Sequence, residues 1–169
     1  MLGRWIDVEP FGRLHPKLAD AALGVVASVP LLLGLWWSLR TELPSVRHLV
    51  QLVQAQLGPV LASRSPAVLA VLSILAGTAE EVLFRGVVQQ GLGHLLPDGV
   101  ALAVTSILFG LAHFLTPAYA LLAAAAGLYL GTLFLLQGNL LVPIVTHALY
   151  DFVALTYLVR RYRAARKSE

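Results

Sequence analysis

The sequence has no cysteine in its 169 residues and very few charged side chains. The lack of cysteine excludes disulfides, thiolate metal ligands, a cysteine nucleophile and thioether or thioester lipid anchors. Only 12% of the residues are charged, whereas 58% are apolar, which is typical of polytopic membrane proteins. Since one spanning helix uses about 20 apolar residues, this length leaves no room for a separate soluble domain. Any activity is therefore expected inside the membrane bundle.

The apolar runs predict an all-α fold, a polytopic membrane helix bundle with about five transmembrane helices. Residues 40–65 instead place glutamines among leucines and valines at helical spacing, which favours an interfacial amphipathic helix over the alternative of a sixth span. The chain is accordingly divided into a lead-in with the first span and the interfacial helix (1–65), a membrane core (66–159) and a basic tail (160–169). The predicted spans are residues 19–39, 66–88, 100–114, 118–137 and 140–159.

The last ten residues hold a cluster of basic side chains directly after an apolar run. This arrangement indicates a cytoplasmic juxtamembrane segment, so we expect a multi-pass protein of the cell membrane with a cytoplasmic C-terminus. No aromatic platform accompanies the cluster, so membrane lipid is expected as its partner and nucleic acid is not. The basic residues are Arg160, Arg161, Arg163, Arg166 and Lys167.

Four charged residues lie within the four predicted spans that follow the first one: Glu80, Glu81, Arg85 and Asp151. Left unpaired at the bilayer centre, four charges would cost roughly 10 kcal/mol on insertion scales. That cost rivals the whole stability of a typical domain, about 5 to 15 kcal/mol. The four groups are therefore expected to be paired and to have a function.

The charges belong to three short motifs on separate predicted helices. Glu81 and Arg85 are four residues apart, which puts them on one helix face and predicts a salt bridge between them. Glu80 has no such local partner and is the best candidate for chemistry. The motifs are Glu80-Glu81-x-x-x-Arg85, Phe109-x-x-x-His113 and His147-x-x-x-Asp151.

These side chains suit hydrolysis by water. Glu80 could take a proton from water and return it later, and His113 could orient that water or hold a metal. His147 with Asp151 could supply a second ligand or a donor for a developing oxyanion. The structural alternatives are a salt bridge for Glu81 with Arg85, and an interhelical hydrogen bond for His147 with Asp151.

Taken together, the three motifs resemble those of the CPBP intramembrane proteases, also called the Abi family, which include Rce-type CAAX prenyl endopeptidases and bacteriocin-processing or immunity proteins. The resemblance covers about residues 66–158. It implies that Glu80 activates water with His113 beside it, that Glu81 and Arg85 complete the first motif, and that His147 begins the third. Members often carry Asn at the third motif's last position, where this chain has Asp151.

The resemblance also implies a class of substrate and raises the question of whether the protein binds a metal. It points to a peptide or protein substrate, lipid-modified or hydrophobic, processed as in CAAX or bacteriocin maturation. The family is usually described as metalloproteases, although a metal-free glutamate mechanism is also argued for it. Glu80, His113 and His147 would form a plausible zinc set with an open position for water. No other cofactor is implied.

Two further functions fit the same residues. The polar cavity could bind a peptide or partner without cleaving it, as in immunity-type relatives. A proton-coupled transporter could use Glu80 and His113 as a relay, but the chain is small and has no inverted repeat. Other intramembrane protease classes fit less well, because the sequence has neither His-Glu-x-x-His nor Gly-x-Ser-x-Gly.

Overall fold

A computed structural model describes residues 8–166, so the start of the lead-in and the last three residues of the tail lie outside it. The predicted all-α membrane bundle is confirmed: the described residues form helices joined by short turns and contain no strand. The helices are α1 (Leu18–Arg40), α2 (Pro44–Leu61), α3 (Pro66–Glu81), a π-helix (Val82–Gln89), α4 (Gln90–Gly93), α5 (Asp98–Ala112), α6 (Pro117–Gln137) and α7 (Leu141–Ala165).

The helix boundaries follow local sequence signals. Pro66 and Pro117 occupy first helical positions, where a missing N–H costs nothing, and the residue before each proline caps the helix. The Ser65 hydroxyl accepts from the backbone of α3, and the Thr116 hydroxyl accepts from Tyr119 N at 3.1 Å. At the other end of α6, Gly138 adopts φ 64°, a left-handed conformation that glycine reaches without strain. Short loops therefore separate the helices at the predicted places.

Four of the described helical stretches are long and apolar enough to cross a membrane: α1, the stretch from Pro66 to Gly93, α6 and α7. The third predicted span is also a helix, α5, but it has only 15 residues. At 1.5 Å per residue it is about 22 Å long, shorter than the roughly 30 Å hydrocarbon core. The fifth predicted span extends beyond its expected end, so Arg160, Arg161 and Arg163 lie on the last turns of α7.

The second predicted span contains a feature that the sequence did not indicate. Between α3 and α4 the chain continues as a π-helix over Val82–Gln89. Such segments are rare and occur mostly as local widenings of α-helices at functional sites. Here the π-helix begins directly after the two glutamates and contains Arg85, so it sets the direction in which that buried side chain leaves the helix.

Helix α7 is the centre of the bundle and packs between α1 and α3. Gly24 of α1 approaches it so closely that an added Cβ would lie 2.8 Å from Val145 Cβ. On the α3 side, a Cβ on Gly77 would lie 2.9 Å from Ala148 N. Glycine at these two positions lets both helices pack against α7 at backbone contact. The α3 and α7 helices run in opposite directions, which brings the first motif beside the third.

Four basic residues gather at one end of the bundle, which we call the basic end: Arg40 of α1, Arg64 before α3, and Arg160 and Arg163 of α7, whereas Arg13 and Lys17 of the lead-in lie at the opposite end. Here Arg163 donates to the carbonyl oxygens of Ala62 at 2.8 Å and Arg64 at 3.0 Å. Both ends of α2 therefore lie at the basic end, so α2 does not cross the bundle. This placement agrees with the predicted interfacial helix rather than with a sixth span.

Helices α5 and α6 form a tightly packed hairpin that rises from the opposite end. Gly110 makes the closest approach, since an added Cβ would lie 2.5 Å from the backbone oxygen of Ala120. Gly127 packs in the same way against the ring of Phe109, with its added Cβ 3.2 Å away. Small residues of α6 thus pack closely against α5. The turn of the hairpin begins at His113, which is how the second motif reaches the interior.

The lead-in is attached to the turn between α6 and α7 by one buried side chain, Asn139. Its amide accepts from His15 N at 3.0 Å and donates to His15 O at 2.7 Å. It also donates to the carboxylate of Asp20 at 2.6 Å. The lead-in, the start of α1 and the start of α7 are therefore held together at the end opposite the basic end.

Candidate active site

The six candidate residues from the three motifs meet at one place in the bundle. Glu80 and Glu81 end α3 and Arg85 follows on the π-helix, whereas His113 caps the C-terminus of α5 and His147 and Asp151 lie one turn apart on α7. Each helix contributes its polar residues to the same interior position. The structure therefore brings side chains of all three motifs within 4.0 Å of one another.

Glu81 is fully buried and is the electrostatic anchor of the site. Its Oε1 accepts from Arg85 Nη1 at 2.8 Å, and both side chains are 0% exposed. The same oxygen lies 2.8 Å from His147 Nδ1. The predicted salt bridge is therefore present. The contact with His147 was not anticipated, and it links the first motif directly to the third.

Arg85 has two further contacts that fix its orientation. Its Nη2 donates to the carbonyl oxygen of Gly127 on α6 at 2.7 Å, and its guanidinium lies over the ring of Phe109, 4.8 Å from the centroid. Charge-assisted bonds of this kind are short and strong, and a cation above an aromatic face gains further attraction. Arg85 thus joins the π-helix to both helices of the hairpin.

Glu80 points away from this pair and toward the half-buried side of the site. Its Oε2 lies 3.4 Å from His113 Nε2. His113 Nδ1 lies 2.8 Å from the backbone oxygen of Phe109, and because a carbonyl only accepts, Nδ1 carries a proton and donates. In the neutral ring, Nε2 is then an acceptor facing Glu80. One proton shared by Glu80 and His113 would join the two side chains by a hydrogen bond, and a water beside the pair would find an acceptor and a donor.

His147 connects the two halves of the site. Its Nδ1 faces Glu81, and its Nε2 lies 4.0 Å from Glu80 Oε2 and 3.7 Å from Asp151 Oδ2. The site contains three carboxyl groups but only one permanent cation, Arg85. Because a net charge in an apolar bundle is costly, two further protons on the histidines or the carboxyl groups would make the cluster neutral. The histidines and carboxyl groups of the site are thus expected to hold two protons between them in addition to the charge of Arg85.

The geometry allows a test of the predicted zinc ligands. Two ligands at about 2.0 to 2.1 Å from a tetrahedral zinc lie roughly 3.3 to 3.4 Å apart. The Glu80–His113 separation of 3.4 Å matches this spacing, but the Glu80–His147 separation of 4.0 Å exceeds it. Among residues 8–166, no group of three or more His, Asp or Glu side chains is arranged to hold a metal ion. These three residues, as placed, therefore do not fit a zinc set.

One polar residue at the site was missed by the sequence reasoning. Gln89, at the end of the π-helix, is 3% exposed, and its Nε2 donates to the carbonyl oxygen of Gly131 at 3.1 Å. Glutamine carries no charge, so the cost argument that marked the glutamates did not apply to it. A usable signal was its spacing, since Gln89 follows Arg85 by four residues, as Gly131 follows Gly127.

Comparison with known proteins identifies a family for the chain. The family model described as type II CAAX prenyl endopeptidase Rce1-like matches residues 62–153. No curated protein and no solved structure matches the chain. The matched region covers more than half of the sequence and includes all six candidate residues. The chain therefore belongs to the Rce1-like family of type II CAAX prenyl endopeptidases.

Proposed function

We propose that this protein is an intramembrane endopeptidase that hydrolyses a peptide bond with a water molecule activated by Glu80 and His113. The observation that carries the proposal is the 3.4 Å approach of Glu80 Oε2 to His113 Nε2, made by two half-buried side chains inside an apolar bundle. A water that lies beside this pair can donate to the Glu80 carboxylate and contact His113 Nε2. A general base must lie within hydrogen-bond distance of the proton that it removes, either directly or through one water.

The proposed reaction has two proton transfers. Glu80, as carboxylate, removes a proton from water while the water oxygen attacks the carbonyl carbon of the scissile bond. A new C–O bond forms and the carbonyl oxygen becomes an oxyanion. The tetrahedral intermediate then collapses, the C–N bond breaks, and protonated Glu80 gives its proton to the leaving nitrogen. His113 orients the water and stays hydrogen bonded to Phe109 throughout.

His147 is the proposed donor to the oxyanion. Its Nδ1 donates to Glu81, and its Nε2, when protonated, faces the same space as Glu80. Asp151, at 3.7 Å from Nε2, stabilises the resulting imidazolium. A donor that is already in place when charge develops lowers the barrier, because the site pays no reorganisation at that moment. Glu81 and Arg85 act by holding His147 and the hairpin rather than by touching the substrate.

The proposed substrate is a hydrophobic or lipid-modified peptide, as in CAAX-type C-terminal processing. An apolar groove with a volume of about 560 Å³ supports this choice. The groove lies between α1, α3 and α7, and its lining includes Ile74, Thr78, Ala148 and Phe152 but none of the six candidate residues. A lipid chain or an apolar peptide segment matches a lining of this kind.

The proposed entry is from the basic end. From Glu80 to Pro66, α3 extends about 21 Å toward the basic end. Helix α7 extends about the same distance beyond Asp151 in the same direction. The α5–α6 turn, in contrast, begins at His113, beside Glu80. The hairpin turn therefore lies at the level of the site, whereas α3 and α7 extend past the site toward the basic end. Because basic residues mark the cytoplasmic side, we place the entry and the C-terminus in the cytoplasm, with the protein in the cell membrane.

The experiment is cleavage by purified protein of peptides ending in a CAAX motif, each with and without a prenyl group. Glu80→Gln should fold normally, with an unchanged thermal midpoint in detergent, and lose about 10² to 10⁴ of the rate. Glu42→Gln is the matched control, since Glu42 is exposed and pairs only with Arg47 at the surface. Equal cleavage by wild type and folded Glu80→Gln would overturn the proposal.

A further inference from the structure

Gln89 and Arg85 bind α6 in the same way, one helical turn apart. Arg85 Nη2 donates to Gly127 O at 2.7 Å, and Gln89 Nε2 donates to Gly131 O at 3.1 Å. Donors and acceptors are each four residues apart, so the two bonds form consecutive rungs between the π-helix and α6. All four residues are buried. We call this pair of bonds the two-rung clamp.

Glycine on α6 is what allows the second rung. A Cβ at Gly131 would lie 2.7 Å from Gln89 Oε1 and 2.5 Å from Leu102 Cδ1, so any larger residue would push the glutamine or α5 away. The carbonyl of Gly131 already serves the backbone of α6, and carbonyl oxygens have a second lone pair for such a bond. The second rung therefore fixes α6 at one depth along the π-helix, because a slide by one turn would displace the carbonyl by about 5.4 Å.

The position of α6 along the π-helix affects the reacting groups because α6 packs against α5, which carries His113. Gly127 packs against Phe109, whose ring lies 4.4 Å from the His113 ring and whose backbone oxygen accepts from His113 Nδ1. Glu80, in contrast, is carried by the helix that leads into the π-helix. The clamp thus joins the element that carries Glu80 to the hairpin that carries His113.

From these contacts we infer that Gln89 is a positioning residue: its bond to Gly131 holds the α5–α6 hairpin at the depth where His113 meets Glu80. The inference rests on the proposed function for its consequence in catalysis. Arg85 supplies the first rung but is also paired with Glu81. Among residues 8–166, Gln89 has no ionic partner, and its side chain makes one hydrogen bond, the one to α6. A substitution at Gln89 therefore tests the clamp without disturbing an ion pair.

The kinetic test compares two adjacent glutamines. Gln89→Met keeps the length of the side chain and removes the bond to α6. Gln90→Met is the matched control, since Gln90 Nε2 donates to Gly86 O at 2.8 Å within its own helix. Gln89→Met should lower kcat by about 10- to 100-fold, because a displacement of about 1 Å can cost that much. Its KM should stay within about 3-fold of the wild type, and Gln90→Met should match the wild type in both.

A second readout needs no substrate. Because the chain has no cysteine, spin labels can be attached at Leu83→Cys on the π-helix and Phe114→Cys at the hairpin turn, both exposed positions. Gln89→Met should shift or broaden the distance distribution between them by about 2 Å or more, and Gln90→Met should not. If the labelled wild type and Gln89→Met give the same distribution, or folded Gln89→Met keeps the full kcat, the inference is wrong.

The two readouts also separate the inference from the proposed function. A distance shift in Gln89→Met, in a protein that cleaves none of the peptides, would support the clamp and count against the protease. An unchanged distance, in a protein that Glu80→Gln inactivates, would reject the clamp and leave the protease standing.

Discussion

His147 on α7 lies with its Nδ1 2.8 Å from Oε1 of Glu81 on α3, the same oxygen that accepts from Arg85. One carboxylate oxygen therefore joins three helical segments: α3, the π-helix and α7. The second glutamate of the pair is thus more than a partner for Arg85. It also sets the orientation of the imidazole whose other nitrogen faces Glu80.

The first prediction concerns the stability of this anchor. Glu81→Leu should destabilise the fold by about 3 to 5 kcal/mol, because it leaves Arg85 charged and unpaired in the interior. The double variant Glu81→Leu with Arg85→Met should lose less than the single variant, since no buried charge is left alone. Thermal unfolding in detergent, arranged as a double-mutant cycle, measures the coupling. Additive losses would mean that the two side chains are not an ion pair in the folded protein.

Much of the fold was readable from the sequence, and the reasons are local. Pro66, Pro117 and Gly138 act within a few residues of themselves, so they mark helix ends whatever the surrounding structure. The salt bridge between Glu81 and Arg85 was also predictable, because helix geometry alone brings the two side chains together.

What was missed depends on how the helices pack. The contact of His147 with Glu81 and the bond of Gln89 with Gly131 join residues that are 66 and 42 positions apart. The choice between a π-helix and an α-helix after Glu81 is made by those neighbours and not by the residues of the segment. Helix α5 belongs with the local cases, since the predicted span 100–114 agrees with Asp98–Ala112 to within two residues at each end.

The second prediction concerns Asp151. Asp151→Asn should reduce kcat by less than about 10-fold, because asparagine keeps an oxygen near His147 Nε2 and gives up only the charge that stabilises the imidazolium. Asp151→Leu removes the oxygen as well and should reduce kcat further. Steady-state rates of the two purified variants decide between them, with circular dichroism as the check on folding. If Asp151→Leu is as active as the wild type, Asp151 has no part in supporting His147.

The third prediction compares two glycines in helices. Gly110→Ala should destabilise the protein by about 1 to 3 kcal/mol, the usual cost of overpacking, because the new Cβ meets the backbone oxygen of Ala120 at 2.5 Å. Gly34→Ala is the control, since nothing lies within 4 Å of a Cβ there, and it should be neutral or stabilise by up to about 1 kcal/mol. Thermal midpoints of both variants test the hairpin packing, which fails as described if Gly110→Ala is neutral.

The fourth prediction concerns metal. Because the Glu80–His147 separation does not suit a shared zinc, the proposed mechanism predicts that purified protein cleaves its substrate after treatment with a chelator. Elemental analysis should find no stoichiometric zinc. The opposite result would be about one zinc per chain in the wild type, lost together with activity in both Glu80→Gln and His113→Ala. That pattern would require the side chains to rearrange around the ion and would replace the direct action of Glu80 on water.

The fifth prediction concerns orientation in the membrane, and the absence of cysteine makes it simple to test. Ser63 is exposed at the basic end, and Gly99 is exposed in the first turn of α5, at the opposite end. With the basic end in the cytoplasm, a membrane-impermeant maleimide should label Gly99→Cys in intact cells and Ser63→Cys only after permeabilisation. The unmodified chain, which should not react in either state, is the control. The reverse labelling pattern would place the entry to the site outside the cell, and a substrate processed in the cytoplasm could then not reach Glu80.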